Sequence, residues 1–346
     1  MRYIHLNIII AGLFVLLGGA GEAQTPAPAP AYVDAAQRSV VLPKAVKKVL
    51  AAGPPAAVIL YTLAPDKLSG WIRPLDADSL AYLPERYRSL PVTGRVTGRD
   101  SVDAAAIKKL APDLIVDFGT VNPSYAATAG RTQAATSIPY VLIDGALQAS
   151  PAAYRSLGAI VQAPARGEML AARSQALLDE VKNKLSGLPA SSRKRVYVAR
   201  GPDGNDSYGT GVFTTEVLAP AGGVNVAEGW GAGNLSAITP EKVRDANPDI
   251  VIALDPYFRD VTSKTAAWQQ VPAIAAGRIH VAPRQPFGWL DEPPSVNRLI
   301  GLRWLAGVLY PDRFGDLRPA VRDFFRTFYQ AEPSGSQLDK LVSGKP

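Results

Sequence analysis

The chain has 346 residues, is 47% hydrophobic and 19% charged, and carries a formal net charge of +7. This composition is typical of a folded globular protein, and the length indicates about two domains. With no cysteine and only two histidines, His5 and His280, the sequence excludes disulfide frameworks, zinc ribbons, iron–sulfur clusters, thiol nucleophiles and sites that need several imidazoles.

Residues 1–23 have the pattern of a cleaved secretory signal. Arg2 precedes a short apolar run, and Gly21 and Ala23 stand where a signal peptidase site has its small residues. No cysteine follows the run, so no lipid anchor on cysteine is expected. The mature protein is therefore predicted to be periplasmic, with a flexible leader over 24–37.

Strand-length apolar runs alternate with helical patterns through the first half of the chain. The predicted strands are 48–52, 70–72, 91–93, 114–118 and 140–143, and a helix is predicted over 101–110. Continuously apolar strands that alternate with helices indicate a parallel sheet covered on both faces. Residues 38–163 are therefore predicted to form an N-terminal α/β lobe, with Phe118 in its core.

A long amphipathic helix is predicted over 164–187. Pro164 suits the first turn and Gly187 suits the position just after the end, while Leu170, Leu177 and Val181 recur at helical spacing. Such a helix is about 30–35 Å long, the width of a small domain. We expect it to join two lobes; the alternative is a helix that belongs to one lobe.

The second half repeats the pattern of the first. Strands are predicted over 196–199, 250–254 and 279–282, and helices over 214–219 and 240–246. These elements predict a C-terminal α/β lobe over 188–332, followed by a flexible tail over 333–346.

An internal similarity links the two predicted lobes. Residues 107–118 (IKKLAPDLIVDF) and 243–254 (VRDANPDIVIAL) share a helix, a proline stop, a tight turn and a buried strand. Two lobes of similar topology explain the similarity, and convergent turn chemistry is the alternative.

The basic charge favours an anionic ligand. The basic residues are scattered, with no dense cluster beyond 193–195, so nucleic-acid binding is not expected. No later stretch is long and apolar enough to suggest a membrane span.

Taken in order, these segments resemble class III periplasmic substrate-binding proteins of ABC importers. The resemblance covers roughly 38–330 and is carried by VLAAG at 49–53, DKLSGW at 66–71, LPVTGR at 90–95, a helix followed by PDLIV over 102–116, and a second-lobe counterpart over 238–252. It implies an α/β fold of two similar parallel-sheet lobes joined by one long rigid helix, with the ligand in the cleft between them. It also implies a monomer without cofactor or catalysis that delivers a small metal chelate or anion to an inner-membrane ABC permease.

The nature of the ligand stays open at this point. The resemblance favours an Fe(III)–siderophore, and haem, cobalamin and molybdate or tungstate are alternatives. Tyrosine can ligate haem iron, with Tyr125 and Tyr208 as candidates, whereas arginines and backbone amides suit an oxyanion.

Candidate binding residues follow from the rule that ligands bind at the carboxyl ends of parallel strands. The loops there carry arginines, whose planar fork suits oxyanions and chelates, and aromatics, which offer flat contact area. The candidates are Arg95, Tyr125, Arg200, Tyr208, Tyr257, Arg284 and Trp289. Arg284 and Trp289 form the strongest pair, and Trp71 is a second candidate reporter of binding. The alternatives are a solvated Arg95 and a Trp289 that only packs against prolines.

Glu241 opens the predicted helix over 240–246. An acid there favours the helix dipole, and the resemblance implies in addition that it docks an arginine of the transporter. The matching acid of the other lobe would fall within 121–125, where the chain has none.

Catalysis and bare-metal binding are not expected. His280 lies in an apolar run and is predicted to be a core histidine, so no metal site is predicted. Asp291 and Glu292 form an acidic pair of the kind glycosidases use, but adjacent residues rarely face one site. No Gly-x-Ser-x-Gly elbow or phosphate-binding glycine loop follows a predicted strand. An exported hydrolase is the alternative from a different class.

Overall fold

A computed structural model describes residues 31–98, 100–209, 211, 214–230 and 235–343, without the side chains of 214, 215 and 235–237. The predicted signal at 1–23 lies outside the described residues.

The strands are short and begin near the first described residue. In chain order they are β1 Ala31–Val33, β2 Ser39–Val41, β3 Val49–Ala51, β4 Leu114–Gly119, β5 Tyr140–Asp144, β6 Lys194–Ala199, β7 Asp206–Tyr208, β8 Gly223–Asn225, β9 Leu235–Ala237, β10 Ile250–Ala253 and β11 Ile279–Val281.

Helices pack against the sheets and form the connection between the lobes. They are α1 Pro54–Leu63, α2 Ala77–Leu80, α3 Ala104–Leu110, α4 Pro123–Thr136, α5 Ser150–Ile160, α6 Pro164–Lys184, α7 Pro240–Ala246, α8 Phe258–Lys264, α9 Ala266–Gln269, α10 Pro272–Ala275, α11 Arg298–Leu309, α12 Pro311–Phe314, α13 Arg318–Phe324 and α14 Gly335–Ser343. Two π-helical turns lie at Thr214–Leu218 and Phe325–Tyr329. None of the described helices is long and apolar enough to cross a membrane.

Each lobe is built on its own parallel sheet. The N-terminal sheet has the order β3-β4-β5 and the C-terminal sheet the order β11-β10-β6-β8, and all of these neighbours are parallel. Two antiparallel ribbons, β1-β2 and β7-β9, accompany them. The predicted class, α/β with two parallel-sheet lobes joined by one long helix, is confirmed.

The internal similarity corresponds to one turn used twice. Before β4, Asp113 accepts hydrogen bonds through Oδ2 from the backbone N–H groups of Lys47 and Lys48, at 2.6 and 2.8 Å. Before β10, Asp249 accepts one from the backbone N–H of Arg195 at 2.8 Å. In both lobes the aspartate therefore clamps the start of the strand to its neighbour in the sheet.

Several predicted elements differ in the structure. The predicted strands at 70–72 and 91–93 are reduced to one parallel bridge between Trp71 and Val92, and the helix expected over 214–219 is the π-turn Thr214–Leu218. These two segments pair with each other at a single position and so do not form a ladder of hydrogen bonds. Their apolar residues alone therefore led to the prediction of strands that the structure does not have.

Both segments predicted to be flexible are ordered in part. The leader begins the β1-β2 ribbon, and Asp34 fixes this ribbon to the sheet because its Oδ2 accepts from the guanidinium of Arg38 at 2.8 Å and from the backbone N–H of Leu142 at 3.2 Å. The tail forms α14, which buries Leu338 and Leu341. An apolar pair at helical spacing gave that tail a packing face.

One buried hydrophobic cluster contains residues of both lobes and connects them. Helix α6 lies against α5, where Gly158 and Gly167 approach so closely that a Cβ on Gly167 would be 2.9 Å from the Cα of Gly158. The π-turn Phe325–Tyr329 returns from the C-terminal lobe onto α1, where the Tyr61 hydroxyl donates to the Tyr329 carbonyl at 3.2 Å. The lobes are therefore held together by helix packing on more than one side.

Candidate ligand-binding site

A cavity of about 350 Å³, called the cleft cavity below, lies between the lobes. Its walls come from the carboxyl ends of the strands, where ligands bind in open α/β sheets. From the N-terminal lobe it is lined by Gly119, Thr120, Val121, Asp144, Gly145 and Ala146, and from the C-terminal lobe by Tyr208, Gly211, Glu216, Leu290, Asp291, Pro294 and Arg298.

The N-terminal wall is made of backbone. Gly145 donates its N–H to the carbonyl of Gly119 at 2.9 Å, and a Cβ on Gly145 would lie 2.5 Å from the Cα of Gly119, so only glycine fits there. Thr120 and Val121 follow Gly119 in the chain, and their backbone N–H groups have no hydrogen-bond partner among the described residues. They precede α4, whose positive end favours anions. This wall therefore offers hydrogen-bond donors without a cationic side chain.

On the C-terminal side, Tyr208 and Asp291 line the cavity and contact Arg200, which lies behind them and does not line it. These three residues are called the Asp291 cluster below. The Oδ2 atom of Asp291 accepts from the Tyr208 hydroxyl and lies 3.3 Å from an Nη of Arg200. The guanidinium carbon of Arg200 is 4.6 Å from the centre of the Tyr208 ring. Burial, reinforced by the negative charge of Asp291, raises the pKa of Tyr208, so Tyr208 is a neutral hydrogen-bond donor.

Arg298 bridges the two lobes beside the cavity. Its guanidinium donates to the Gly145 carbonyl at 2.6 Å and to Glu216 Oε2 at 3.1 Å. The same oxygen of Glu216 accepts from the backbone N–H of Leu147 at 2.9 Å. Burial lowers the pKa of Arg298, and the charge of Glu216 opposes that shift. These four residues, called the interlobe bridge below, fix both walls relative to each other.

A second, adjoining cavity of about 490 Å³ continues along the boundary between the lobes. Glu292 and Pro293 line it, while their neighbours Asp291 and Pro294 line the cleft cavity. Its other lining residues include Trp71, Arg73, Arg284 and Phe287. The segment 291–294 therefore stands between the two cavities.

The structure brings together some of the residues predicted for binding. Arg200 and Tyr208 meet in the Asp291 cluster. Arg284 lines the second cavity and pairs with Glu292 at 3.2 Å. Tyr257 is 69% exposed and lines a third cavity of about 530 Å³, farther along the same boundary.

Two predicted residues lie away from these cavities. The guanidinium of Arg95 packs on its own loop, within 3.2 Å of where a Cβ of Gly98 would be. Tyr125 is exposed on the first turn of α4. Neither residue lines any of the three cavities described above.

Trp289 is buried, whereas a residue that stacks on a ligand would expose one face of its ring to the cleft. Its side chain is fully buried, and the indole Nε1 donates to the carbonyl of Gln285 at 3.0 Å. A Cβ on Gly301 of α11 would lie 2.0 Å from the carbonyl oxygen of Trp289, so the loop is pressed against that helix. In this conformation Trp289 supports the loop, which corrects the expectation of ligand stacking.

The acidic pair divides between two partners. Asp291 joins Arg200 and Tyr208, while Glu292 pairs with Arg284, so the two carboxylates do not face one site. Phe118 is buried, as predicted. His280 is half-buried in β11, where burial and the charge of Arg259 lower its pKa. Within the described residues no group of three histidines or acids could hold a metal ion.

The interlobe bridge could not be predicted from the sequence. Arg298 and Glu216 are ordinary charged residues in the sequence, and their partners, which are each other and two backbone groups, lie more than 60 positions away. The one available signal was the apolar run around Arg298 (LIGLRWLAGVL follows it), which places the arginine at the start of a buried helix. The amides of Thr120 and Val121 carry no side-chain signature either.

Two parallel-sheet lobes joined by one long helix, with a cavity between the carboxyl ends of their strands, define the class of periplasmic solute-binding folds. Residues 74–286 match the periplasmic binding protein family, and the chain belongs to that family.

Solved structures share this fold. An ABC transporter solute binding protein from Sulfurospirillum deleyianum has a TM-score of 0.82 and 27% identity, with 90% of this chain and 98% of that protein covered. The molybdate periplasmic binding protein MolA from Haemophilus influenzae, bound to molybdate, has a TM-score of 0.71 and 21% identity, with 88% of this chain and 99% of MolA covered. In sequence, the molybdate-binding protein MolA from Haemophilus influenzae is 31% identical over 153 residues, which make up 43% of this chain and 42% of MolA. The aligned sequence therefore spans less than half of that relative.

Proposed function

We propose that this protein captures a small tetrahedral oxyanion of the molybdate or tungstate type in the cleft cavity and delivers it to an ABC importer. The observation that carries this proposal is the composition of the cavity wall. Thr120 and Val121, whose backbone N–H groups have no hydrogen-bond partner in the described part of the chain, line one side, and Tyr208 lines the other. Backbone N–H groups ahead of a helix bind oxyanions well because each one donates a hydrogen bond along the helix dipole.

The charges around the cavity are compatible with an anion. Glu216 is neutralised by Arg298, and Asp291 is neutralised by Arg200. Asp144 is exposed, and its Oδ1 accepts the N–H of Ala146 at 2.9 Å. An anion would therefore meet two neutralised carboxylates, one exposed carboxylate held by a backbone N–H, and two amides that have no partner among the described residues. Likeness to the molybdate-binding protein MolA supports the same choice.

An Fe(III)–siderophore is the second candidate ligand. The second cavity favours it, because about 490 Å³ beside Trp71, Phe287 and Arg284 would accommodate the organic part of a chelate. Haem and cobalamin, which also need more room than the cleft cavity offers, would have to use the same extension.

The remaining parts of the proposal concern the cellular role. We place the mature protein in the periplasm as a monomer that binds without chemical turnover, in keeping with its family. Glu241 is exposed in the first turn of α7, with Thr239 capping that helix, and is proposed to dock the permease. An exported hydrolase is the competing function.

Calorimetric titration of the mature chain tests the ligand. Molybdate and tungstate should each bind with one ligand per chain. Sulfate is titrated as a third tetrahedral dianion, and ferric siderophore, haemin and cobalamin are titrated as the larger alternatives. Binding of a chelate alone would refute the oxyanion in favour of the second candidate. Native mass spectrometry of protein from its host should recover the ligand unaltered, whereas turnover of an ester or glycoside would favour the hydrolase.

A further inference from the structure

The carboxylate of Asp291 lies beside two hydrogen-bond donors, Arg200 and Tyr208, that an anionic ligand could use. Asp291 is largely buried, with 17% of its side chain exposed, and its Oδ2 takes hydrogen bonds from both Arg200 and Tyr208. Asp291 and Tyr208 both line the cleft cavity. A carboxylate oxygen therefore occupies the position between two donors where an oxygen of an anionic ligand would be held.

The hydrogen bonds of Arg200 are incomplete in this arrangement. Its side chain is 19% exposed, and the contact to Asp291 is a single Nη2–Oδ2 pair at 3.3 Å, longer than a good charged hydrogen bond. The Nε atom is buried and has no hydrogen-bond partner within the described part of the chain. Nε and Nη2 form one edge of the guanidinium, and oxyanions bind such an edge with two parallel hydrogen bonds.

In this conformation Asp291 satisfies only part of this edge. Its oxygen is also held by the Tyr208 hydroxyl, whose raised pKa keeps it a donor. One carboxylate oxygen thus accepts from two donors, and the Nε of Arg200 has no hydrogen-bond partner among the described residues. A tetrahedral anion has enough oxygens to accept from Nε, Nη2 and the tyrosine hydroxyl at once.

We propose that Asp291 is a specificity-determining residue that competes with the ligand: its carboxylate holds the donors of Arg200 and Tyr208 in the ligand-free cleft and must be displaced by an entering oxyanion. This inference rests on the proposed function. Displacement has a cost for every anion, so only anions that recover it through several hydrogen bonds bind well. Monovalent anions with a single acceptor cannot replace the carboxylate. Asp291 thereby lowers affinity and raises selectivity.

The test is the affinity of Asp291→Asn for molybdate and tungstate, measured by calorimetry beside the parent chain. Asparagine keeps the size and an acceptor but removes the charge, so binding should tighten about tenfold, or about 1.4 kcal/mol. The matched control is Glu292→Gln, an exposed neighbour paired with Arg284, which should leave affinity unchanged. Arg200→Gln should weaken binding in both the parent and the Asp291→Asn background.

The outcomes separate this inference from the proposed function. If the parent binds an oxyanion and Asp291→Asn binds it equally well or more weakly, Asp291 only supports the fold and the inference is overturned. If parent and Asp291→Asn both fail to bind any oxyanion, the proposed function fails and the inference falls with it. Thermal unfolding of each ligand-free variant checks folding. Asp291→Ser, which is too short to reach Arg200, provides a second variant that must also tighten binding.

Discussion

Replacement of Arg298 by methionine tests whether the interlobe bridge sets both stability and binding. The side chain of Arg298 is 5% exposed, and the change removes its hydrogen bonds to the Gly145 carbonyl and to Glu216 while keeping most of its length. Methionine fills the space of the aliphatic stem, so the main effect is the loss of a buried, paired charge.

The magnitude follows from the partners that are left behind. Removing one member of a buried ion pair costs about 3–5 kcal/mol, because the other charge stays buried without compensation. Glu216 is 21% exposed and keeps the N–H of Leu147 as a donor, which places the loss near the lower end, about 3 kcal/mol. The double variant with Glu216→Gln should recover part of this loss.

A second arginine on the same helix provides the control. Arg303 of α11 is 3% exposed, donates to Glu180 of α6 at 2.8 Å and to the Phe314 carbonyl at 2.6 Å, and does not line the cleft cavity. Arg303→Met should therefore lose a similar free energy of unfolding in urea. Only Arg298→Met should also weaken ligand binding in calorimetry, because Gly145 and Glu216 form the cavity walls. Parent-like stability or unchanged affinity of Arg298→Met would refute the reasoning.

Three further predictions concern pH, docking and motion. Because burial and Arg259 lower the pKa of His280 below its usual value of about 6.5, the unfolded chain binds the proton first, so stability should fall as pH drops below about 6.5. In urea unfolding, the loss of stability at low pH should be smaller for His280→Asn than for the parent. An equal loss would contradict the role given to His280. Glu241→Ala should keep ligand affinity and reduce uptake by the reconstituted importer, whereas exposed Glu228→Ala should change neither; parent-like uptake by Glu241→Ala would exclude docking there. Small-angle scattering should give nearly the same radius of gyration with and without ligand, and a large decrease would refute limited closure.

The sheets could be predicted from sequence because their signal is local. The apolar runs at 114–118 and 250–254 became β4 and β10, each introduced by the aspartate turn that the repeated PD dipeptide marks. A buried strand needs apolar residues on both faces, so its position is visible in a few consecutive residues. The long helix also begins at the predicted residue, Pro164, because proline is favoured in the first turn.

The site was less predictable because its geometry depends on distant partners. Arg200 and Tyr208 were predicted from their place after a strand, and the structure brings them together at Asp291. Nothing local distinguishes them from Arg95, whose guanidinium packs on its own loop. Trp289 has the same local context as a binding tryptophan, yet α11 packs against its loop and buries it. Chain position identifies the edge of a sheet, while the direction of each side chain is decided by the elements packed behind it.

The buried contacts on both sides of the cleft suggest how selectivity is achieved. On α6, Arg166 donates to the carbonyl of Thr62 on α1 at 2.9 Å and to that of Thr327 in the returning C-terminal turn at 2.6 Å. The interlobe bridge holds the cavity walls on the other side. Bending the lobes apart would break several buried, charge-assisted hydrogen bonds at once, each worth about 1.5–3 kcal/mol. A cleft that closes only a little cannot select its ligand mainly by closing around it. The exchange of hydrogen-bond partners at Asp291, which moves one side chain and leaves the core intact, is therefore the step at which an anion is accepted or rejected.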